Sequence, residues 1–84
     1  MREQIFSEID AEREHQDGKW GNEFDDQNTV NDWAAYMNIY LSKATTMGAA
    51  QEQVRESILK VTAIGVAALE GFDRNGGFAK RHYD

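Results

Sequence analysis

The chain has 84 residues, a formal net charge of −6, and neither cysteine nor proline. This length predicts one small domain, residues 1–84, which buries only about 60–65% of its unfolded surface. Disulfides and thiolate metal sites are excluded, so we expect the domain to gain stability by association. The apolar run 61–72 is too short to span a bilayer and the N-terminus has no signal-peptide core, so a cytoplasmic protein with no membrane contact is expected.

Acidic residues are concentrated in the first third of the chain. Residues 1–28 hold nine acids and three bases, whereas residues 49–84 hold five of each. Such a surface disfavours nucleic acid and favours cations or a protein partner with a basic surface. We take Glu8, Glu12 and Glu14 as candidate binding residues. The alternative is a solvated acidic helix that aids solubility.

The first helix is predicted roughly over residues 2–16. Ile5, Phe6 and Ile9 form a narrow apolar stripe, and charged residues occupy the other face. The helix is expected to end near Asp17, with Gly18 in the left-handed conformation.

The stretch DGKWGNEFDDQNT, residues 17–29, is predicted to be a long loop. Trp20 and Phe24 would either fold under it and close the end of the bundle, or provide a stacking platform for a base, with Lys19 near a phosphate. Asp25 and Asp26 offer oxygen ligands for magnesium or calcium, or serve turn hydrogen bonds.

Two further helices are predicted. Residues 30–46 begin with a capping box of Thr29 and Asp32 and carry a broad apolar face. Residues 51–73 are apolar nearly all round and rich in small residues, which predicts the central element. The fold class is therefore all-α, a three-helix antiparallel bundle. Two partner helices cannot cover both faces of the third helix, so we expect a homodimer.

The tail, residues 74–84, follows a helix break at Asn75-Gly76-Gly77. Phe78 and Tyr83 are placed to pin it to the body. A basic cluster there would contact the acidic third or a phosphate, or the tail is a frayed end.

Metal and catalytic motifs are sparse. Glu12 and His15 form one E-x-x-H step, whereas di-metal bundles need two such steps and further Glu. Glu56 is a second weak metal candidate, with helix charge patterning as the alternative. No nucleophile constellation or phosphate-cradling glycine motif occurs. The residues themselves therefore suggest neither a cofactor nor an enzyme.

Two stretches carry a family resemblance. AEREHQDGKWG, residues 11–21, and RESILKVTAIGVAALEGFDR, residues 55–74, resemble segments of small MazG-like proteins, which are frequent in phages and actinobacteria. The resemblance implies an all-helical oligomer that hydrolyses nucleoside triphosphates to monophosphate and pyrophosphate with magnesium.

This chain departs from the family where the metal binds. The helix that should carry a Glu cluster has only Asp32. Glu56 matches the first acid of the later helix, but Leu59 stands where an Asp is expected. Three hypotheses follow. The first is a small acidic binding protein, such as a phage-encoded modulator or inhibitor of a host or defence protein. The second is a divergent nucleotide pyrophosphohydrolase or nucleotide-binding protein that uses magnesium. A purely structural subunit is the third.

Overall fold

The computed structural model describes all 84 residues and is all-helical. Its helices are α1 (Arg2–Lys19), α2 (Gly21–Asp26), α3 (Val30–Ala44) and α4 (Gln51–Asn75). The only β-type contact is an isolated bridge between Thr29 and Ala79. None of the helices combines the length and apolar character needed to cross a membrane. The all-α prediction is confirmed, but the helix count of three is wrong.

α3 and α4 form an antiparallel hairpin that contains the core. The predicted capping box is present: the Thr29 amide donates to the Asp32 carboxylate at 3.0 Å, and the Asp32 amide donates to the Thr29 hydroxyl at 3.2 Å. Trp33 packs on Ile64, Ala67 and Ala68. The small residues of α4 make room for the large indole ring, which explains why α4 holds half of the buried positions.

α1 packs on α4 through a stripe that is more polar than predicted. Its buried residues are Ile9, Arg13 and Gln16, whereas Ile5 and Phe6 are exposed. Arg13 Nε donates to Glu70 of α4 at 2.9 Å. The predicted apolar stripe is therefore wrong in all but Ile9, because the face of α1 that packs on α4 includes the Arg13–Glu70 ion pair.

The predicted long loop over residues 17–29 is mostly helical. α1 continues through Gly18, with the Trp20 amide donating to the Gln16 carbonyl at 2.9 Å, and Gly21 takes the left-handed conformation expected of Gly18 (φ 80°). The chain turns there and forms the short helix α2. Only Gln27–Thr29 separate α2 from α3. Glycine fits this position because it has no Cβ to clash at positive φ.

The C-terminal tail packs against the junction of α2 and α3. α4 ends as predicted, with Gly76 in the left-handed conformation (φ 70°). Phe78 contacts Phe72 edge to face at 5.1 Å between centroids and packs against the core. The Ala79 amide donates to the Asn28 carbonyl at 3.3 Å. The tail therefore packs against the body through Phe78, whereas Tyr83 is 70% exposed.

α4 touches every other helix, whereas the backbones of α1 and α3 do not contact each other. The molecule is correspondingly open. Its accessible surface is 6197 Å², against about 5,100 Å² expected for a monomer of this mass. Its radius of gyration is 13.8 Å, against about 12 Å for 84 residues.

Candidate functional site

A cavity of about 200 Å³ lies where α1 and α3 diverge. α1 and α2 form one wall, α3 forms the other, and α4 forms the floor. The residues that line it are Arg13, Gln16, Trp20, Phe24, Asp25, Trp33, Tyr36, Ile39, Tyr40, Ile64 and Ala67. Eight of these eleven are hydrophobic, so the cavity is an apolar recess with a few polar groups, the composition typical of small-molecule sites.

The walls of the cavity are aromatic. Trp20 and Phe24 stack with centroids 6.1 Å apart and planes 22° apart. Phe24 lies 6.2 Å from Tyr36, which meets Trp33 edge to face at 6.3 Å. Trp20 and Phe24 remain 44% and 39% exposed. Their ring faces are thus only partly covered by the protein, and a planar ligand would find stacking surface there.

Two of the polar side chains belong to one hydrogen-bonded pair on α1. Arg13 Nη1 donates to Gln16 Oε1 at 3.3 Å. Arg13 itself is held by Glu70 at 2.9 Å and by Asp17 at 2.7 Å. Because its oxygen is engaged by Arg13, the Gln16 amide presents an NH₂ group without a partner in the chain. Gln16 is only 7% exposed as a residue and lines the apolar recess, and its NH₂ group keeps some accessible surface.

Asp25 is the third polar group, and its environment differs from that of Asp26. It is 8% exposed, and no hydrogen bond from the protein reaches its carboxyl group. Burial raises the pKa of Asp25, while the nearby Arg13 guanidinium acts in the opposite direction. The carboxyl oxygens keep some accessible surface, because Asn28 Nδ2 is the only fully buried side-chain polar atom without a partner. Asp25 is therefore open to a ligand in the cavity.

The other predicted binding residues lie outside the cavity. Glu8 accepts two hydrogen bonds from Arg55, at 3.0 and 2.9 Å. Asp26 accepts from Arg74 and Asn75, and the hydrogen bond from Arg74 lowers its pKa. Glu14 is exposed. The Lys19 ammonium lies 5.1 Å from the centre of the Trp20 ring. Of the predicted set, only Trp20 and Asp25 meet in the cavity.

The candidate metal ligands do not converge. Glu12 and His15 line a small groove beside Lys19, and Glu56 pairs with Lys60 at 3.7 Å. Glu70 is occupied by Arg13, and it lies 14 residues from Glu56, about 21 Å along the helix. No group of three or more His, Cys, Asp or Glu side chains that could hold a metal ion is present. The residues of this chain therefore do not fit the magnesium site that the family resemblance implies.

Sequence reasoning missed Arg13, Gln16 and Tyr36 as site residues. The spacing of Ile9, Arg13 and Gln16, four and then three residues, places all three on one helix face and could have indicated a buried polar stripe. The spacing of Trp20 and Phe24 likewise matches one helical turn. The distant partner of Arg13, Glu70, gives no local signal.

Comparison of the chain with family models, with curated proteins and with solved structures finds no match. The similarity to MazG-like proteins stays a hypothesis that rests on residues 11–21 and 55–74.

Proposed function

We propose that the protein binds a small planar heterocycle, of the nucleobase class, in the cavity between α1–α2 and α3. One observation carries this proposal: Gln16 and Asp25 are only 7% and 8% exposed as residues, and both line the aromatic recess with polar atoms that have no partner in the chain and keep some accessible surface. Buried polar groups are normally satisfied within the protein. A ligand with donors and acceptors on one ring edge would satisfy both groups at once.

The size of the cavity limits the ligand. Sites for drug-sized molecules measure about 300–1,000 Å³, and this cavity has about 200 Å³. One ring system fits, while a sugar or phosphate would extend into solvent past Trp20. Gln16 would donate through its NH₂ group. Asp25 would accept from a ring N–H, or donate once it is protonated. These roles are recognition and not catalysis.

The test is a fluorescence titration of the protein with free nucleobases and nucleosides, which reports through Trp20 and Trp33 because both line the cavity. We expect saturable quenching by at least one base. Asp25→Asn and Gln16→Leu should each weaken it about tenfold or more, the effect of leaving a ligand group unpaired. Glu14→Gln, on the exposed face of α1, is the matched control. Absence of quenching across the panel, or equal affinities for all variants, would overturn the proposal.

Magnesium-dependent hydrolysis of nucleoside triphosphates, the activity that the MazG-like resemblance implies, is not part of this proposal because no carboxylates converge. Pyrophosphate release that depends on Glu56 would reinstate that activity.

A second proposal is that the protein binds a partner protein with a basic surface. A phage-encoded modulator or inhibitor of a host or defence protein would act in this way. It is supported by Asp10 and Glu14, which are exposed on α1 and have no ion-pair partner, unlike Glu8. We expect the double variant Asp10→Lys, Glu14→Lys to lose salt-sensitive binding to partners captured by cross-linking. Unchanged capture would refute this proposal.

A third proposal is that two copies associate through α4. Ile58, Leu69 and Phe72 are exposed there at heptad-like spacing, and Gly65 between them has open space above it. The accessible surface of 6197 Å² is about 1,100 Å² larger than expected for a monomer of this mass. This difference is more than the roughly 800 Å² that each partner buries in a standard interface. Sedimentation should give a dimer for the native chain and a monomer for Leu69→Glu. A native monomer at high concentration would refute the association.

A further inference from the structure

A second recess lies at the far end of the α3–α4 hairpin, and Tyr40 is the one residue that it shares with the aromatic cavity. It is an open cleft of about 520 Å³ between the last turn of α3, the connection 45–50 and the first turns of α4. We call it the hairpin cleft. Its polar character comes from Lys43, Gln53, Glu56, Ser57 and Lys60.

Two ammonium groups contact the same aromatic ring at the wall of the hairpin cleft. Lys43 of α3 and Lys60 of α4 lie over the ring of Tyr40, with their Nζ atoms 4.9 and 5.6 Å from its centre. Both cations are therefore attracted to one ring although they come from two different helices. Lys43 and Lys60 add positive charge to this cleft in a chain whose net charge is negative.

Ser57 supplies the observation that points to a ligand. It is 9% exposed, and its hydroxyl makes no hydrogen bond within the chain. Thr62, on the same helix, shows the usual alternative, because its hydroxyl donates to the Ile58 carbonyl at 2.8 Å. Ser57 lines the hairpin cleft. The cleft thus contains a hydroxyl that belongs to a largely buried residue, has no partner in the chain and keeps some accessible surface.

The first turn of α4 contributes further hydrogen-bond donors, which are amide groups. The Gln53 side chain accepts from the Ala50 amide at 3.3 Å, which leaves its NH₂ group for another partner. The helix starts at Gln51 and runs for 25 residues. Its first-turn amides lack partners within the helix, and its dipole favours negative charge at this end. Ammonium, hydroxyl and amide donors therefore surround one recess.

We propose that the hairpin cleft binds a phosphate group, either as the free ion or as the phosphate of a small ester. Lys43 and Lys60 would supply charge, and Ser57 would donate to one oxygen. Tetrahedral oxyanions with several acceptor oxygens suit such convergent donors, and charge-assisted hydrogen bonds are the strong ones.

The carboxylate of Glu56 distinguishes a phosphate site from a metal site in this cleft. It is the only acid in the hairpin cleft, and its pair with Lys60 at 3.7 Å is long, with 64% of the Glu56 side chain exposed. A phosphate would compete with this carboxylate for Lys60. Removing the carboxylate should therefore tighten phosphate binding, whereas a metal site at Glu56 would lose its ligand.

The experiment is a titration of the full chain with inorganic phosphate, followed by backbone amide NMR, with sodium chloride at matched ionic strength as the control. We expect saturable shifts at Gly48, Gln53 and Ser57 with phosphate only. Lys60→Met should weaken binding about tenfold or more, the effect of losing a charge-assisted hydrogen bond. Ser57→Ala should weaken it less, and Glu56→Gln should strengthen it. Lys80→Met, in the tail, is the matched charge control.

Two results would overturn the proposal: shifts that chloride reproduces, or Lys60→Met and Lys80→Met variants that bind alike. Amide spectra of the unliganded variants separate loss of binding from loss of fold. Trp20→Ala should leave phosphate binding unchanged, so failure of the aromatic cavity proposal and failure of this one are distinguishable.

Discussion

Replacing Arg13 with methionine tests whether the buried guanidinium holds α1 in place. Arg13 is 8% exposed and donates to Glu70, Asp17 and Gln16 at 2.9, 2.7 and 3.3 Å. Methionine keeps most of the apolar stem, so the substitution isolates the loss of charge and hydrogen bonds.

The expected cost follows from what happens to each partner. The side chains of Asp17 and Glu70 are 47% and 53% exposed, so their carboxylates return to water. Each of those bonds then contributes only about 0–1 kcal/mol. Gln16 is 7% exposed, and leaving its oxygen unsatisfied costs about 1–3 kcal/mol. We therefore expect a loss of about 2 kcal/mol, from a total stability of about 4–13 kcal/mol for this length.

Urea denaturation at fixed protein concentration measures this loss, and a fall in Tm of about 8–16 °C should accompany it. Arg55→Met is the control, because Arg55 of α4 pairs with Glu8 of α1 but the Arg55 side chain is 58% exposed. Its effect should be much smaller. If Arg13→Met costs less than about 0.5 kcal/mol, or no more than Arg55→Met, the Arg13 network does not hold α1.

Three further outcomes are expected. Trp33→Ala should lower the free energy of unfolding by about 3–5 kcal/mol, since the ring is 4% exposed; a loss below 1 kcal/mol in urea would contradict its place in the core. Thr29→Ala should cost about 1 kcal/mol by the same assay through loss of the capping box, whereas Thr46→Ala, beyond the helix end, should cost less. Burial raises the pKa of Asp25 in the folded state, so its ionisation destabilises the fold as pH rises through that raised pKa. Asp25→Asn should accordingly be more stable than the native chain near neutral pH, with a gap that closes as pH falls through the ordinary range of aspartate; a gap that widens in acid would refute this.

The hairpin could be predicted because its signals are local. Thr29 and Asp32 are three residues apart, and the left-handed end of α4 at Gly76 follows from the glycine pair there. Apolar spacing likewise identified α4 as the element that every other helix contacts.

The cavity could not be predicted because its polar groups depend on distant partners. Arg13 is buried and donates to Glu70, 57 residues away, and the sequence around Arg13 does not indicate this partner. The sequence predicts that the first helix ends near Gly18, but the chain turns at Gly21. Both residues are glycines, so helix propensity alone does not show which of them ends the helix. Trp20 and Asp25 were identified by residue type, and only the fold shows that they face one recess.

The unequal sequence separations of the contacts also bear on how the chain folds. α3 and α4 are joined by a connection of only six residues, whereas Arg13 and Glu70 close a span of 57 residues. Short spans close at a smaller entropic cost. We therefore expect the hairpin to form first and to present α4 as a template on which α1 docks last. Amide exchange should then be slowest within α3 and α4 and faster in α1, so the recess between α1 and α3 would assemble only in the final step of folding.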